Sequence, residues 1–305
     1  MTASRKLMVT GGAGFIGCVL SHRLLEDGHD VVVLDNMKRS TAKVVDRLAR
    51  AGARVVTADV RDYDAVLAAA RGCETVFHLA AQSNVMGAIE DPNYSVTTNV
   101  LGTFNVLRAA AEADVGRVVF TSSREVYGEA TTLPVREDHP LLAKNPYGAS
   151  KVAGEAYCRT FANTHKLPVR VVRFANVYGP GDSGRVIPLW LTAAHEGRDI
   201  QVYGGEQIID FLWVGTAVDA LLYAEEHDLP GPVNIGSGRG TKIMDLAESV
   251  LRVTGASVRV VRTPAREIEV AKFVADVAVM RSLGLSPEED PLQHLAELVE
   301  AYRPS

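Results

Sequence analysis

Val9-Thr10-Gly11-Gly12-Ala13-Gly14-Phe15-Ile16-Gly17 is the stretch on which the reading of this chain turns. It follows a short apolar run, Leu7-Met8-Val9, and opens an amphipathic one. It reads as G-x-G-x-x-G on Gly12, Gly14 and Gly17, or as G-x-x-G-x-x-G on Gly11, Gly14 and Gly17. In both, glycines let the backbone turn sharply off a strand and approach a pyrophosphate, and a helix N-terminus then faces the anion. A glycine-rich turn can also serve packing alone, so the surrounding sequence must decide.

Working outward, Lys6 to Thr10 is expected as a strand and Phe15 to about Asp27 as a helix. Ile16, Leu20 and Leu24 share one face of that helix, and Gly28 stops it. Val31-Val32-Val33-Leu34 is fully apolar, as a buried parallel strand should be. It ends in Asp35, roughly 20 residues past the glycine turn, where an acid can take adenosine ribose hydroxyls. A carboxylate there repels a 2′-phosphate and so favours NAD over NADP, although Lys38 and Arg39 stand close by.

The alternation continues. Strands are expected at Arg54–Ala58, Thr75–Ala81 and Arg117–Ser123, with helices over 63–71 and 96–113. Strands alternating with helices imply an α/β fold, a Rossmann-type doubly wound parallel sheet. Ligands then sit at the carboxyl ends of the strands, the edge that carries Gly11–Gly17, Asp35, Asp59, Ala80–Gln82 and Ser122–Ser123. After about residue 175 the pattern is less regular. Helices are expected at 188–197, 216–227, 242–254, 276–283 and 292–302, and Val233-Asn234-Ile235 as a strand returning to the main sheet. The expected organisation is a nucleotide-binding domain over 1–175, joined by 213–236. A smaller C-terminal substrate-binding lobe takes 176–212 and 237–305.

The bulk composition fits this frame. The chain has 305 residues, 47% hydrophobic and 23% charged, enough for a sizeable core. A formal net charge of −5 gives no reason to expect a nucleic-acid partner, and a small anion needs only a local positive pocket. Cys18, Cys73 and Cys158 lie far apart with no C-x-x-C pair. They read as reduced thiols of a cytoplasmic protein, and no metal site is expected. Met1-Thr2-Ala3-Ser4-Arg5-Lys6 leads straight into a strand without a signal peptide, and no apolar run is long enough to span a membrane.

Tyr147-Gly148-Ala149-Ser150-Lys151 carries the chemistry. On a helix, i and i+4 share a face, so phenol and ammonium point the same way. A nearby positive charge favours phenolate and is expected to lower the Tyr147 pKa toward neutrality, making it a general base and acid. The alternative is a half-buried tyrosine beside a solvated lysine. His78, inside an apolar strand, reads as a buried structural histidine.

With these residues in view, the chain resembles the extended short-chain dehydrogenase/reductases, in particular the NAD-dependent nucleotide-sugar epimerases and dehydratases. The resemblance runs through nearly the whole chain. It rests on Thr10–Gly17, Asp35-Asn36, Asp59-Val60-Arg61, His78–Gln82, Asn99–Thr103, Ser122–Gly128, Tyr147-x-x-x-Lys151 and Arg173–Gly181. It implies NAD as cofactor, held by Gly11, Gly14, Phe15, Ile16, Gly17, Asp35, Asn36, Asp59, Val60, Leu79, Ala80, Ala81, Asn99, Ser122, Tyr147 and Lys151. Asp59 and Val60 match adenine contacts, Ala80 and Ala81 line the cofactor, and Asn99 fixes the backbone behind the site. Lys151 matches the residue that contacts the nicotinamide ribose and tunes the tyrosine. Ser123 matches the residue that hydrogen-bonds the reacting sugar oxygen. A nucleotide-diphosphate sugar is the implied substrate, bound by Gln82, Ser123, Arg124, Glu125, Asn176, Arg185 and Arg266. A homodimer through helices 96–113 and 147–165 is implied as well.

The implied first step is oxidation at C4 of the sugar, with Tyr147 taking the hydroxyl proton. The ketone can then be reduced from the opposite face, lose water after C5 deprotonation, or lose CO₂ if the sugar is a uronic acid. In related 4,6-dehydratases an Asp-Glu pair follows the Ser/Thr; here it is Arg124-Glu125. A guanidinium cannot donate a proton at neutral pH, so ordinary dehydration is disfavoured. Glu125 leaves decarboxylation open as a second catalytic role. Arg124 either grips a C6 carboxylate, with Arg185 a second candidate, or points to solvent. Ile209 stands where the family usually has an arginine on the diphosphate, leaving Arg266 and backbone amides for that contact. The first expectation is a C4 epimerase acting on a UDP-sugar, including a uronic acid among its possible substrates. The others are a dehydratase or decarboxylase using Glu125, a net reductase, and a non-catalytic NAD-binding protein.

Overall fold

The structure is a computed structural model that describes residues 3–303. Met1 and Thr2 of the expected first domain and Pro304 and Ser305 of the expected lobe lie outside the described residues. Among the described residues, seven parallel strands form the central sheet. They are β1 (Lys6–Thr10), β2 (Asp30–Asp35), β3 (Arg54–Thr57), β4 (Thr75–His78), β5 (Arg117–Ser123), β6 (Val169–Phe174) and the strand Val233–Ile235. The spatial order is β3-β2-β1-β4-β5-β6, followed by Val233–Ile235 against β6. The order reverses between β1 and β4, and the crevice outside their carboxyl ends is where such a sheet takes its ligand.

Period-two alternation in the apolar strands builds two cores. Leu7, Val9, Val31 and Val33 face one side with Leu20 and Leu24 of α1 (Phe15–Glu26). Met8, Val32 and Leu34 face the other. There they meet α3 (Tyr63–Ala70), α6 (Gly102–Glu112) and α7 (Pro146–Thr164) through Val66, Val106 and Cys158. Each fully buried Val or Leu contributes about 1.5–3 kcal/mol. Polar residues cap the helices between these strands. Thr41 caps α2 (Ala42–Arg50), Asp62 caps α3 and Asn145 caps α7 with Pro146 behind it.

Two expectations are corrected. The helix expected over 96–113 is α5 (Pro92–Val96), a π-helical turn at Thr97–Leu101, and α6. The wide turn brings Asn99 against the chain after β4, a local use typical of π-bulges. The helix expected over 292–302 is reduced to Leu298–Ala301. The preceding residues close tighter i→i+3 turns, Gln293 N to Asp290 O and Leu295 N to Leu292 O. The remaining late helices are Val186–His195, Val214–Glu226, Ile243–Thr254 and Ala278–Ser282. A third core of Tyr178, Trp190, Leu191, Phe211, Leu246 and Leu298 holds the C-terminal lobe together.

Candidate active site

The glycine turn is built by steric necessity. Gly11 has φ +68° and lies so close to β4's exit that a Cβ would stand 2.8 Å from the Ala80 backbone. A Cβ on Gly17 would fall on the Gly11 carbonyl. Gly11 N donates to Leu34 O and Gly14 N to Gly11 O, which fixes the turn. Gly14 then caps α1 with no side-chain acceptor, so the first-turn N–H groups at Phe15 and Ile16 face outward unspent. A pyrophosphate fits this cradle by shape and by charge.

At the adenosine end, Asp35 is buried and accepts from Ala13 N at 3.1 Å and Met37 N at 2.8 Å. Burial raises its carboxyl pKa against those hydrogen bonds. Asn36 donates to Asp59 at 2.8 Å, and Arg61 binds Asp59 through two nitrogens. Partial burial opposes ionisation there, yet the hydrogen bonds from Arg61 and Asn36 hold the Asp59 carboxyl at about 2. Val60 is buried behind it. The two cations near Asp35 are engaged elsewhere. Lys38 Nζ lies 3.3 Å from the centre of the Tyr94 ring, and Arg39 reaches Ser83 and the Ser183 carbonyl.

At the other end, Leu79 N donates to Thr10 O and Ala80 N to Thr10 Oγ1, so Leu79, Ala80 and Ala81 run beside the glycine turn. Asn99 is buried and spends its amide on the chain: it accepts from Gln82 N at 2.8 Å and donates to Gln82 O and Ser150 Oγ. Gln82 turns its own amide toward Asn84 O and Ala88 N at the start of α4 (Val85–Glu90). His78 is bonded on both nitrogens, to Thr10 and Thr103, and burial pulls it down to about 3, a neutral structural residue.

Ser123, at the end of β5, faces Tyr147 on the first turn of α7. Lys151, one turn on, is buried and donates from Nζ to Thr121 O at 2.8 Å. Burial brings its pKa down to about 8. The expected depression of the Tyr147 pKa is not found. Burial raises it, and Arg185 and the Ser123 hydroxyl offset only part of that. Lys151 Nζ stays 5.9 Å from the ring centre, tied to the Thr121 carbonyl.

Arg124 and Glu125 form the short 3₁₀ turn after Ser123. Arg124 does not point to solvent. Its Nη2 pairs with Glu125 Oε1 at 2.9 Å, and its guanidinium lies 5.7 Å from the Phe273 ring centre. Glu125 is buried and also accepts from Asn145 Nδ2 at 2.7 Å. Of the remaining candidates, Asn176 carries a buried Nδ2 with no hydrogen-bond partner among the described residues. Arg185 pairs with Asp182 at 2.8 Å, and Arg266 lies 3.7 Å from the Tyr203 ring centre with Glu269 beside it.

Sequence reasoning missed a buried polar row behind the site. Ser122, Arg173 and Asn234 stand side by side in register on three strands. Ser122 Oγ donates to Glu155 of α7, so its hydroxyl is spent within the protein. Glu155 takes Arg173 through both oxygens, and Arg173 also donates to Tyr127, whose hydroxyl donates to Asn234. A charged residue inside an apolar strand is the signal that could have exposed this row.

Comparison with known proteins agrees with this geometry. The model of the NAD dependent epimerase/dehydratase family matches residues 7–236. A UDP-glucose 4-epimerase of Mycolicibacterium smegmatis is 35% identical over 98% of this chain and 98% of its own. A UDP-N-acetyl-alpha-D-glucosaminuronate decarboxylase of Bacillus cytotoxicus is 31% identical, covering 98% of each. Among solved structures, the UDP-glucose 4-epimerase of Thermotoga maritima with UDP-glucose superposes with a TM-score of 0.92 at 30% identity, covering 98% of both chains. A glycine turn that fits a pyrophosphate, a Ser-Tyr-Lys set with Ser123 at the end of β5 and Tyr147 and Lys151 on α7, and a match across most of the length agree. The chain belongs to the NAD dependent epimerase/dehydratase family, among the extended short-chain dehydrogenase/reductases.

Proposed function

We propose that this protein is an NAD-dependent nucleotide-sugar epimerase that inverts C4 of a UDP-sugar through a transient 4-keto sugar. One observation carries the choice among the family's outcomes: Glu125 is already bound by Asn145 and Arg124. Water loss would need a free base beside Ser123 to take the C5 proton, and this carboxylate is committed to two partners; a 4-keto uronate, being a β-keto acid, loses CO₂ without such a base, so that outcome is decided by the product. A dehydratase or decarboxylase using Glu125 is therefore the second reading, with a decarboxylase among the relatives in its favour.

When bound, NAD supplies the acceptor that takes the C4 hydrogen with its electron pair and returns it. The residues do the rest. Tyr147 takes the proton of the C4 hydroxyl and gives it back. Ser123 hydrogen-bonds the same oxygen and keeps it against the phenol. Lys151 contributes a fixed positive charge below them, which favours phenolate. The raised pKa of Tyr147 means that the free enzyme holds the phenol protonated. Asn176, with its unspent amide, is suited to the nucleotide-sugar.

Arg124 extends the reading to the sugar. Its guanidinium is turned inward beside the catalytic turn and paired with Glu125, so a C6 carboxylate would share it with, or take it from, that residue. Incubation with UDP-glucose, UDP-N-acetylglucosamine and UDP-glucuronate, followed by chromatography, tests both points. An equilibrium mixture of two C4 epimers is expected, and a single lighter product would overturn the proposal. Arg124→Ala should raise KM for UDP-glucuronate about tenfold and leave the uncharged sugars nearly unchanged.

The same reading divides the chain at 175/176, with 213–236 in the nucleotide-binding domain and 176–212 and 237–305 in the substrate-binding lobe. It also makes the enzyme a homodimer. Val96, Leu101 and Tyr157 are exposed, and Tyr157 lines a 520 Å³ hollow between α6 and α7 together with Phe104 and Phe161. A cytoplasmic location is supported by three buried free cysteines. Among the described residues no helix is long and apolar enough to cross a membrane.

A further inference from the structure

The final stretch of the described chain lies beyond residues 7–236, the range that the family model matches, and it runs back to the site. It is packed down along its length. Leu295 and Leu298 are buried in the third core. His294 stacks on Trp213 with ring centres 4.2 Å apart. His195, the last residue of the helix Val186–His195, donates from Nε2 to the Val299 carbonyl at 2.6 Å. Tyr302 then turns a half-buried ring toward the loop 179–184. Its hydroxyl faces two carbonyls there, Gly179 O and Asp182 O, each at 2.9 Å. Burial pushes the phenol pKa up, so at neutral pH the oxygen keeps its hydrogen and donates.

That loop has little to hold it from within. It contains neither helix nor strand. Gly181 and Gly184 take φ +85° and +71°, and a Cβ on either would meet no described atom within 4 Å. The backbone bond that closes the turn, Asp182 N to Gly179 O, is long at 3.3 Å. The Tyr302 hydroxyl spans the same two residues with shorter contacts, and does so from a segment fixed in the core. From the other side Arg39, on an exposed turn, reaches the Ser183 carbonyl.

Both ends of the loop carry residues assigned above to the nucleotide sugar. Asn176, with its unspent amide, starts the strand Asn176–Tyr178 that leads in. Arg185 follows the loop and stands at the N-cap of the helix Val186–His195. It pairs with Asp182 at 2.8 Å, and its guanidinium lies 5.8 Å from the Phe15 ring centre. Burial raises the Tyr147 pKa, and the charge of Arg185 is the largest influence against it. The place of Arg185 therefore bears on the catalytic phenol as well as on the ligand. Asp182, whose carbonyl Tyr302 holds, fixes that place.

We propose that Tyr302 is a positioning residue of the active site: its hydroxyl fastens the Gly179–Asp182 turn and so holds Arg185, through Asp182, in the substrate half of the site. The inference rests on the reading of the site as one for NAD and a UDP-sugar. The glycine turn and Asp35 are built by their own hydrogen bonds. NAD binding is thus independent of Tyr302, whereas binding of the sugar nucleotide depends on it.

Titration calorimetry with NAD and with UDP tests this on the full chain without turnover, beside hydrogen–deuterium exchange read by mass spectrometry. Wild type is compared with Tyr302→Phe, Arg185→Gln and the double variant. Tyr302→Phe removes one oxygen and keeps the ring, and thermal unfolding of the unliganded variants confirms that each is folded. Tyr302→Phe is expected to bind UDP about three- to tenfold more weakly, and NAD within about twofold of wild type. Exchange should quicken over 179–185 and stay unchanged in the central sheet. Because Tyr302 acts through Arg185, the double variant should lose no more UDP affinity than Arg185→Gln alone. Wild-type UDP affinity in Tyr302→Phe, unchanged exchange of the loop, equal losses for NAD and UDP, or additive losses in the double variant would each overturn the role. Failure of the wild type to bind UDP would instead overturn the reading of the site, and the role of Tyr302 with it.

Discussion

Lys151 carries charge in a place where charge is costly. Burial brings its pKa from 10.5 down to about 8, so the ammonium is held at neutral pH against a penalty of roughly 3 kcal/mol. The sign follows from linkage. The folded pKa lies below the unfolded one, so the penalty is full below about pH 8 and fades as pH rises toward 10.5. Lys151→Met should therefore be more stable than wild type at pH 7, by on the order of 2 kcal/mol after loss of the Thr121 hydrogen bond, yet catalytically dead. Urea unfolding at pH 7 and pH 9.5 checks it: the advantage should shrink at the higher pH. A Met variant no more stable at pH 7 would show that the ammonium is not paying a burial penalty. Tyr147→Phe makes the complementary case. It removes one oxygen, and turnover should fall at least about 100-fold while NAD stays bound at wild-type stoichiometry.

Helices and strands place these residues, and here the sequence was legible in part. The apolar run Val31–Leu34 and the glycine turn announce β1, α1 and β2 without ambiguity, because a fully buried parallel strand has no polar face. Tyr147 and Lys151 were found because i,i+4 spacing survives any tertiary context. The π-turn at Thr97–Leu101 was not legible, because residue propensities do not separate a single π turn from the α-helical turns on either side of it. Nor were Arg39 and Ser183, since a contact between loops 144 residues apart has no periodic signature. The direction of the Tyr147 shift was misread because charge proximity is visible in spacing and desolvation is not. The buried row through Ser122, Arg173 and Asn234 yields a test at this scale. Glu155 ties α7, and with it Tyr147, to the sheet. Either Glu155→Met or Arg173→Met alone leaves an unpaired buried charge and should destabilise by about 3–5 kcal/mol. The double variant should recover much of that. Denaturant unfolding of all three gives the cycle, and simple additivity would contradict the coupling.

At the scale of the whole molecule, two surfaces matter. The α6–α7 face exposes Leu101 and Tyr157, the latter lining a hollow with Phe104 and Phe161, and we expect it to be covered by a second copy. Leu101→Glu combined with Tyr157→Glu should give a monomer by sedimentation, and a persistent dimer would place the interface elsewhere. The carboxyl edge of the sheet is the other surface, where the lobe meets the glycine turn and the Ser123-Tyr147-Lys151 set. Its chemistry is what the account stands on, and labelling in D₂O tests it most directly. With a UDP-hexose as substrate, the proposed mechanism returns the same hydrogen to C4 and never opens C5. The C4 epimer should therefore form at unchanged mass, with no deuterium on carbon, as read by proton NMR and mass spectrometry. Deuterium at C5, or a product lighter by water or CO₂, would contradict it.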